Sequence, residues 1–301
     1  MKLFLLGLVL VNSLLSFDYK LQPKEVSSDV HCFFGLPEVM DKHNNGNMVN
    51  SCFVTFATSY LVIDSGPTYQ YATQAYAAMK KIKNLPLSYV IDTHIHDDHW
   101  LGNGFYKEQH ATIIGPQAFS ELSKTETTRM QRRISAEAFQ GTQQVFPDIL
   151  IAGKKVLTID GKKVIIQSVN HKAHTADDLF VYIPSKKIVF AGDLVFNERL
   201  PSLRDGNING WLSALEKLKK MDVQYIVGGH GDVVDKKAVA FTYNYFYELR
   251  EQVKKLLDDG EELGDVVNEL VMPKYKDTPF YDSIHRQNVE HVYRTLEWES
   301  E

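Results

Sequence analysis

The chain has 301 residues, 44% apolar, 24% charged and 11% aromatic, a globular composition that excludes disorder, collagen-like repeats and a coiled coil. Its 33 Lys and Arg against 38 Asp and Glu leave a net charge of -5, which provides no basic field for nucleic acid. Two cysteines are too few for a disulfide-rich scaffold or a four-thiolate metal site.

Met1-Lys2 leads into an apolar run from Leu3 to Leu15, interrupted only by Gly7, Asn12 and Ser13. A positive charge, a short apolar segment and a polar continuation from Asp18 predict a secretory signal over residues 1–17, and with it export, to the periplasm. The run falls short of the roughly 20 residues that a membrane-spanning helix needs, so no stable membrane insertion is expected once the signal is removed. Cys32 and Cys52 lie in two strand-like segments, Val30-His31-Cys32-Phe33-Phe34 and Ser51-Cys52-Phe53-Val54-Thr55-Phe56, that can pair as neighbours. For an exported chain a Cys32–Cys52 disulfide is the favoured reading, with two buried free thiols as the alternative.

Beyond the signal, strand-like segments at 30–34, 51–57, 59–64, 88–92, 111–115, 154–159, 163–168, 179–183, 187–192 and 224–228 are interspersed with helix-like segments. The helices are expected at about 68–83, 100–107, 116–139, 209–220, 236–259, 263–271 and 280–297. Short hairpins mixed with helices argue for a layered α/β fold with mixed sheets rather than an all-parallel doubly wound one. Residues 28–235 are expected to form the catalytic domain, and residues 236–301 a set of helices packed on that same domain through a stripe of Tyr243, Tyr245, Phe246, Leu249 and Val253. Residues 116–150 form a long polar insertion that fits a lid or a dimer contact.

The strand Leu87-Ser88-Tyr89-Val90-Ile91-Asp92 runs into Thr93-His94-Ile95-His96-Asp97-Asp98-His99-Trp100. Three histidines and an aspartate thus crowd a strand exit, where neighbouring side chains can converge without breaking a sheet. In extended chain His94 and His96 share a face and offer two nitrogens to one ion, and the following turn directs Asp98 and His99 towards a second. Further donors stand at later strand exits: His174 before Leu179-Phe180-Val181-Tyr182, Asp193 at the end of Ile188-Val189-Phe190-Ala191-Gly192, and His230 in Gly228-Gly229-His230-Gly231. Imidazoles and carboxylates without thiolate suit Zn(II) best and also accept iron or manganese.

In these residues the chain resembles the metallo-β-lactamase-fold hydrolases, over about residues 28 to 300. The matching elements are Ile63-Asp64-Ser65-Gly66, the His94–His99 motif, His174-Thr175, Gly192-Asp193 and Gly229-His230-Gly231. The resemblance implies an αβ/βα sandwich of two mixed sheets with a metal site in the cleft between them. It implies that His94, His96 and His174 hold one ion, that Asp98, His99 and His230 hold the other, and that Asp193 bridges both, two zinc ions per chain. Asp64 is then a support below the site. The chemistry implied is hydrolysis by a metal-bridging hydroxide, with Asp98 as the catalytic residue that orients it and relays a proton.

β-Lactamases of this fold usually carry Cys or Ser at the place of Asp193, so the aspartate counts against antibiotic hydrolysis. The stretch from Phe190 to Phe196, followed by Arg199, Pro201, Asp205-Gly206 and Gly210-Trp211, is similar to the exported branch associated with sulfur-oxidation and quinoprotein systems. The leading expectation is an exported dinuclear zinc hydrolase of a small ester, thioester or related acyl substrate. The alternatives are a mononuclear iron persulfide dioxygenase on the same fold, a β-lactamase, and a non-catalytic metal-binding accessory protein. Arg199 and Arg204 follow the strand bearing Asp193 and are expected to bind an anionic group of the substrate. His43, in the Gly- and Asn-rich loop 35–50, is a further candidate for a cleft-facing residue.

Overall fold

The computed structural model describes residues 17–122 and 128–300; apart from Phe17, the expected signal segment lies outside them. In chain order the strands are β1 (Lys24–Ser27), β2 (Val30–Phe33), β3 (Ser51–Thr55), β4 (Tyr60–Ile63), β5 (Leu87–Ile91), β6 (Thr112–Pro116), β7 (Ile149–Ile151), β8 (Lys154–Ile159), β9 (Lys162–Ser168), β10 (Leu179–Ile183), β11 (Ile188–Phe196) and β12 (Tyr225–His230). The helices are α1 (Tyr69–Ile82), α2 (Asp97–Trp100), α3 (Asn103–Glu108), α4 (Arg129–Arg133), α5 (Ala136–Phe139), α6 (Ile208–Lys220), α7 (Lys236–Asp258), α8 (Leu263–Glu269) and α9 (Tyr281–Ser300).

Among the described residues the strands form two sheets, one in the order β1-β2-β3-β4-β5-β6-β7 and one in the order β12-β11-β10-β9-β8. Both are mixed. β1 to β4 pair antiparallel, and β4 to β7 parallel. In the second sheet β8 to β11 are antiparallel and β12 runs parallel to β11. Each sheet is buried on both faces, which is why its central strands read as unbroken apolar runs. In β4, Leu61 and Ile63 point between the sheets and meet Ile166, Val181, Ile188 and Phe190. Tyr60 and Val62 point the other way and pack with Tyr71, Ala75 and Met79 of α1. On the far side, Trp211 and Leu215 of α6, Phe246 of α7 and Val292 of α9 cover Val189, Ala191 and Ile226. The layers are therefore helix, sheet, sheet, helix.

Two local devices hold the region around the site. Cys32 and Cys52 stand directly opposite each other in the β2–β3 ladder and are joined by a disulfide, buried in the core between the sheets. The C-terminal helices clamp the strand that carries Asp193. Thr242 Oγ1 of α7 accepts from the Phe196 N–H at 2.9 Å and donates to the Phe196 carbonyl at 2.8 Å. Asn288 of α9 likewise holds the loop after β11, accepting from Leu203 N and donating to the Pro201 carbonyl, both at 2.8 Å.

The structure corrects two expected helices and adds two strands. The segment 100–107 divides into α2 and α3 at Leu101-Gly102, where a Cβ on Gly102 would stand 2.2 Å from the Ser65 carbonyl oxygen. The expected helix 116–139 is a 3₁₀ turn at Gln117–Glu121 followed by α4 and α5. Thr128 and Ser135 start these new helices, their hydroxyls accepting from Gln131 N and Ala138 N, so local capping outcompetes a continuous helix in a stretch without an apolar stripe. The additional strands β1 and β7 are four and three residues long and sit at the two edges of the first sheet.

Candidate metal centre

The site is built where the chain leaving β5 meets the middle of β11, which runs on to Phe196. Asp193 therefore lies within the strand, at a break in its pairing with β12, and not at the strand end expected from sequence. The approach of the two segments depends on Gly192, which has φ +51 and whose missing Cβ would lie 2.4 Å from Thr93 Oγ1. Beyond Gly192, Asp193 turns its carboxylate towards the residues leaving β5. A Cβ on Gly229 would meet Asp193 Oδ1 at 1.9 Å, so β12 can deliver His230 to the same point only because that position is glycine.

Four imidazole nitrogens surround the Asp193 carboxylate: His99 Nε2 at 3.2 Å, His174 Nε2 and His230 Nε2 at 3.3 Å, and His94 Nε2 at 3.7 Å. His94, His96, His174 and Asp193 each offer a donor atom within 4.8 Å of the others, and Asp98, His99 and His230 form a second such group. All are buried except His96, which is partly exposed. The structure thus brings together the seven side chains singled out as ligands.

Three of the imidazoles around Asp193 are oriented through the nitrogen that faces away from it. His99 Nδ1 lies 2.9 Å from Asp64 Oδ2, His94 Nδ1 lies 3.0 Å from Thr93 Oγ1, and His230 Nδ1 lies 2.6 Å from the Met48 carbonyl oxygen. A proton on each Nδ1 leaves Nε2 with a free lone pair. His96 is arranged the other way, with Nε2 3.0 Å from Asp205 Oδ2 and Nδ1 2.9 Å from His174 Nε2. His174 is placed through its backbone, whose N–H donates to Asp178 Oδ2 at 2.9 Å. Asp64, in left-handed conformation at φ +57, also accepts from Thr93 N at 2.7 Å and Thr93 Oγ1 at 2.9 Å.

These donors fit divalent ions. His94 Nε2, His99 Nε2 and Asp193 Oδ1 are buried without a hydrogen-bond partner among the described residues, which is costly unless a cation completes them. Burial opposes the charge on Asp193, yet His230, His99 and His94 hold its carboxyl well below the usual range. Burial alone would keep His99 neutral, but Asp193 and Asp64 on either side raise its affinity for a proton well above normal. A position between two carboxylates favours positive charge, which a proton or a divalent ion can supply.

A positive wall faces the donors. Arg129 of α4 reaches 31 residues back in sequence to place Nη2 2.6 Å from Asp98 Oδ1, while its Nε and Nη2 bind Asp97 Oδ1 at 3.1 and 3.0 Å. Burial works against ionisation of Asp98, but Arg129 and then His99 outweigh it and hold the carboxyl below its ordinary value. Arg199 lies over the rings of Phe280 and Phe196, 4.7 and 5.6 Å from their centroids, and its Nε has no partner among the described residues. Arg204 is exposed, bonded to Asp205 at 2.8 Å, with Nη2 3.5 Å from His96 Nε2. All three arginines line a cavity of about 200 Å³ with Asp98, Asp193 and His230. His43 is not brought to it: His43 is exposed, and its N–H is turned onto Asp41 Oδ1 at 2.7 Å. The same loop contributes the Met48 carbonyl instead. Arg129, the Met48 carbonyl and the contact of Asp205 with His96 were not anticipated from sequence. The only signal for the first is the concentration of arginine in Arg129-Met130-Gln131-Arg132-Arg133.

A family model described as the metallo-beta-lactamase superfamily matches residues 44–230. Among curated proteins, a metallo-beta-lactamase type 2 from Elizabethkingia meningoseptica is 27% identical over 169 residues, covering 54% of this chain and 61% of that protein. A beta-lactamase-like protein 2 homolog from Caenorhabditis elegans is 22% identical, over 79% of this chain and 76% of the relative. A linear primary-alkylsulfatase from Pseudomonas sp. (strain ATCC 19151) is 19% identical, over 71% of this chain and 48% of the relative. The chain thus spans about three-fifths and half of the lengths of the first and third. Among solved structures, a metallo-beta-lactamase from Pontibacter korlensis superposes with a TM-score of 0.60 at 21% identity, covering 75% of this chain and 99% of that one. An inverting sec-alkylsulfatase from Pseudomonas sp. superposes with a TM-score of 0.68 at 17% identity, covering 91% of this chain and 50% of that one.

Proposed function

The chain belongs to the metallo-beta-lactamase superfamily, and from that premise we propose that it is an exported dinuclear zinc hydrolase acting on a small ester, thioester or related acyl substrate with an anionic group. The observation that carries the reading is the pair of donor clusters with one carboxylate, Asp193, facing both. His94, His96 and His174 would hold one ion, Asp98, His99 and His230 the other, and Asp193 would touch both. Bound zinc would supply Lewis acidity and a water acidic enough to attack at neutral pH.

The protein's own groups do the rest. Asp98, kept anionic by Arg129, would accept a hydrogen bond from the attacking water, orient it, and relay its proton to the leaving group. Arg199, with its partnerless Nε, and Arg204 at the rim offer charge-assisted hydrogen bonds to an anionic substrate. Two similar proteins are named as alkylsulfatases, whose substrates are anionic esters, which supports that feature. The apolar N-terminal run and the buried Cys32–Cys52 bridge support export.

The test is metal analysis of mature protein isolated from the export compartment without added metal, followed by an ester, thioester and lactam panel. About two zinc ions per chain with ester or thioester turnover is the expected result. About one iron per chain with persulfide-dependent oxygen uptake overturns it. Unchanged kcat/KM on the best anionic substrate in both Arg199→Ala and Arg204→Ala removes the proposed anion contact.

A further inference from the structure

Five of the chain's eight arginines, Arg129, Arg132, Arg133, Arg199 and Arg204, line the metal cavity or the groove beside it, and none of its 25 lysines does so among the described residues. The groove is about 450 Å³ and is continuous with the metal cavity, since His96, Arg129 and Arg204 line both. Ile95 and Trp100 give it apolar surface. Arg129 and Arg204 spend their charge on Asp97, Asp98 and Asp205. Arg132 and Arg133 are exposed and have no acidic partner among the described residues.

In a chain of net charge -5, such a concentration runs against the average surface. Like charges this close repel one another and gain from an anion between them. The choice of arginine over lysine favours planar, two-pronged recognition of an oxyanion. We infer that the groove is a second anion subsite, in which Arg132 and Arg133 hold the far end of a substrate that carries two oxyanionic groups on an apolar spacer. The reacting end lies in the metal cavity near Arg199, the spacer crosses Ile95 and Trp100, and the remote sulfonate-, sulfate-, phosphate- or carboxylate-type group sits in the groove. The inference rests on the hydrolase reading for calling the occupant a substrate.

Naphthalene-2,6-disulfonate and naphthalene-2-sulfonate serve as probes, titrated calorimetrically into the full chain as purified and again after metal removal, at low and at physiological salt. The wild-type protein is expected to bind the disulfonate about tenfold or more tightly than the monosulfonate, with the preference shrinking as salt rises. In Arg132→Gln/Arg133→Gln the two probes are expected to bind alike. A wild-type protein that does not distinguish the probes overturns the subsite, and that comparison needs no variant. A folded double variant that keeps the preference overturns the assignment to Arg132 and Arg133. A chain without bound metal overturns the hydrolase reading but leaves the probe ratio intact, whereas two ions with no preference between probes overturns the groove alone.

Discussion

Replacing Asp64 by asparagine separates support of the metal centre from ligation itself. Asp64 Oδ2 accepts from His99 Nδ1 at 2.9 Å and from Thr93 Oγ1 at 2.9 Å, and Oδ1 accepts from Thr93 N at 2.7 Å. An amide keeps one oxygen and puts a donor in place of the other. If the NH₂ takes the Oδ2 position, His99 Nδ1 must become an acceptor and its proton moves to Nε2, the nitrogen that faces Asp193. A protonated Nε2 cannot bind a metal. Partners of this kind typically cost 10–100-fold in metal affinity when changed, about 1.4–2.8 kcal/mol at 1.4 kcal/mol per tenfold. If the amide turns over, its NH₂ meets the Thr93 N–H and leaves a buried donor unpaired, which costs about 1–3 kcal/mol of stability. Zinc titration against a chromogenic chelator, with urea unfolding alongside, reads both branches. Asp64→Asn is expected to weaken the site formed by Asp98, His99 and His230 while the site formed by His94, His96 and His174 persists, or to lower stability by the stated amount. Unchanged affinity together with an unchanged unfolding midpoint would refute the reasoning.

Arg129→Ala leaves Asp97 and Asp98 without their shared cation and is expected to lower kcat about tenfold on any ester the enzyme cleaves. Arg129→Lys should recover only part of this loss, because one ammonium cannot reproduce the planar reach to both carboxylates; full recovery in the lysine variant would show that charge alone suffices. Cys32→Ala/Cys52→Ala opens a cross-link with a sequence separation of 20 and is expected to cost about 3 kcal/mol in urea denaturation, an effect that reductant should reproduce on the wild-type protein. Gly192→Ala puts a Cβ 2.4 Å from Thr93 Oγ1 at φ +51, whereas Gly161→Ala at φ +74 meets nothing within 4 Å. The second should lose only the left-handed backbone cost of about 1–2 kcal/mol. The first should lose that and zinc affinity too, since Thr93 orients His94, and equal losses in the two variants would contradict the close approach of β5 and β11.

What was legible in the chain follows from how locally each feature is encoded. The His94–His99 cluster is contiguous, and its place at a strand exit comes from the apolar run of β5 just before it, so spacing alone brings four donors together. Asp193 and His230 were legible because each is a polar residue in or directly after an apolar strand segment, and because the glycines beside them announce close backbone approach. The double-sheet core was readable from those same apolar segments. The short edge strands β1 and β7 were not, since three or four half-exposed residues carry no periodicity. The supporting contacts were harder to read because they depend on tertiary placement. Any residue type can supply the carbonyl that Met48 turns to His230, so no letter in the loop 35–50 signals it. The one histidine there, His43, is exposed, and its backbone N–H is held by the Asp41 side chain, which accepts from His43 N at 2.7 Å and Asn44 N at 3.1 Å. Arg129 sits in a polar stretch whose periodicity suggests an ordinary surface helix, and only the break at Thr128 swings it onto Asp97 and Asp98. The donors that define the chemistry therefore lie within strands β11 and β12 or in the segments that adjoin β5 and β10, and are written in local pattern. The arginines that would select the substrate lie on capped, irregular segments, where sequence records the residue type and the fold alone decides what it faces.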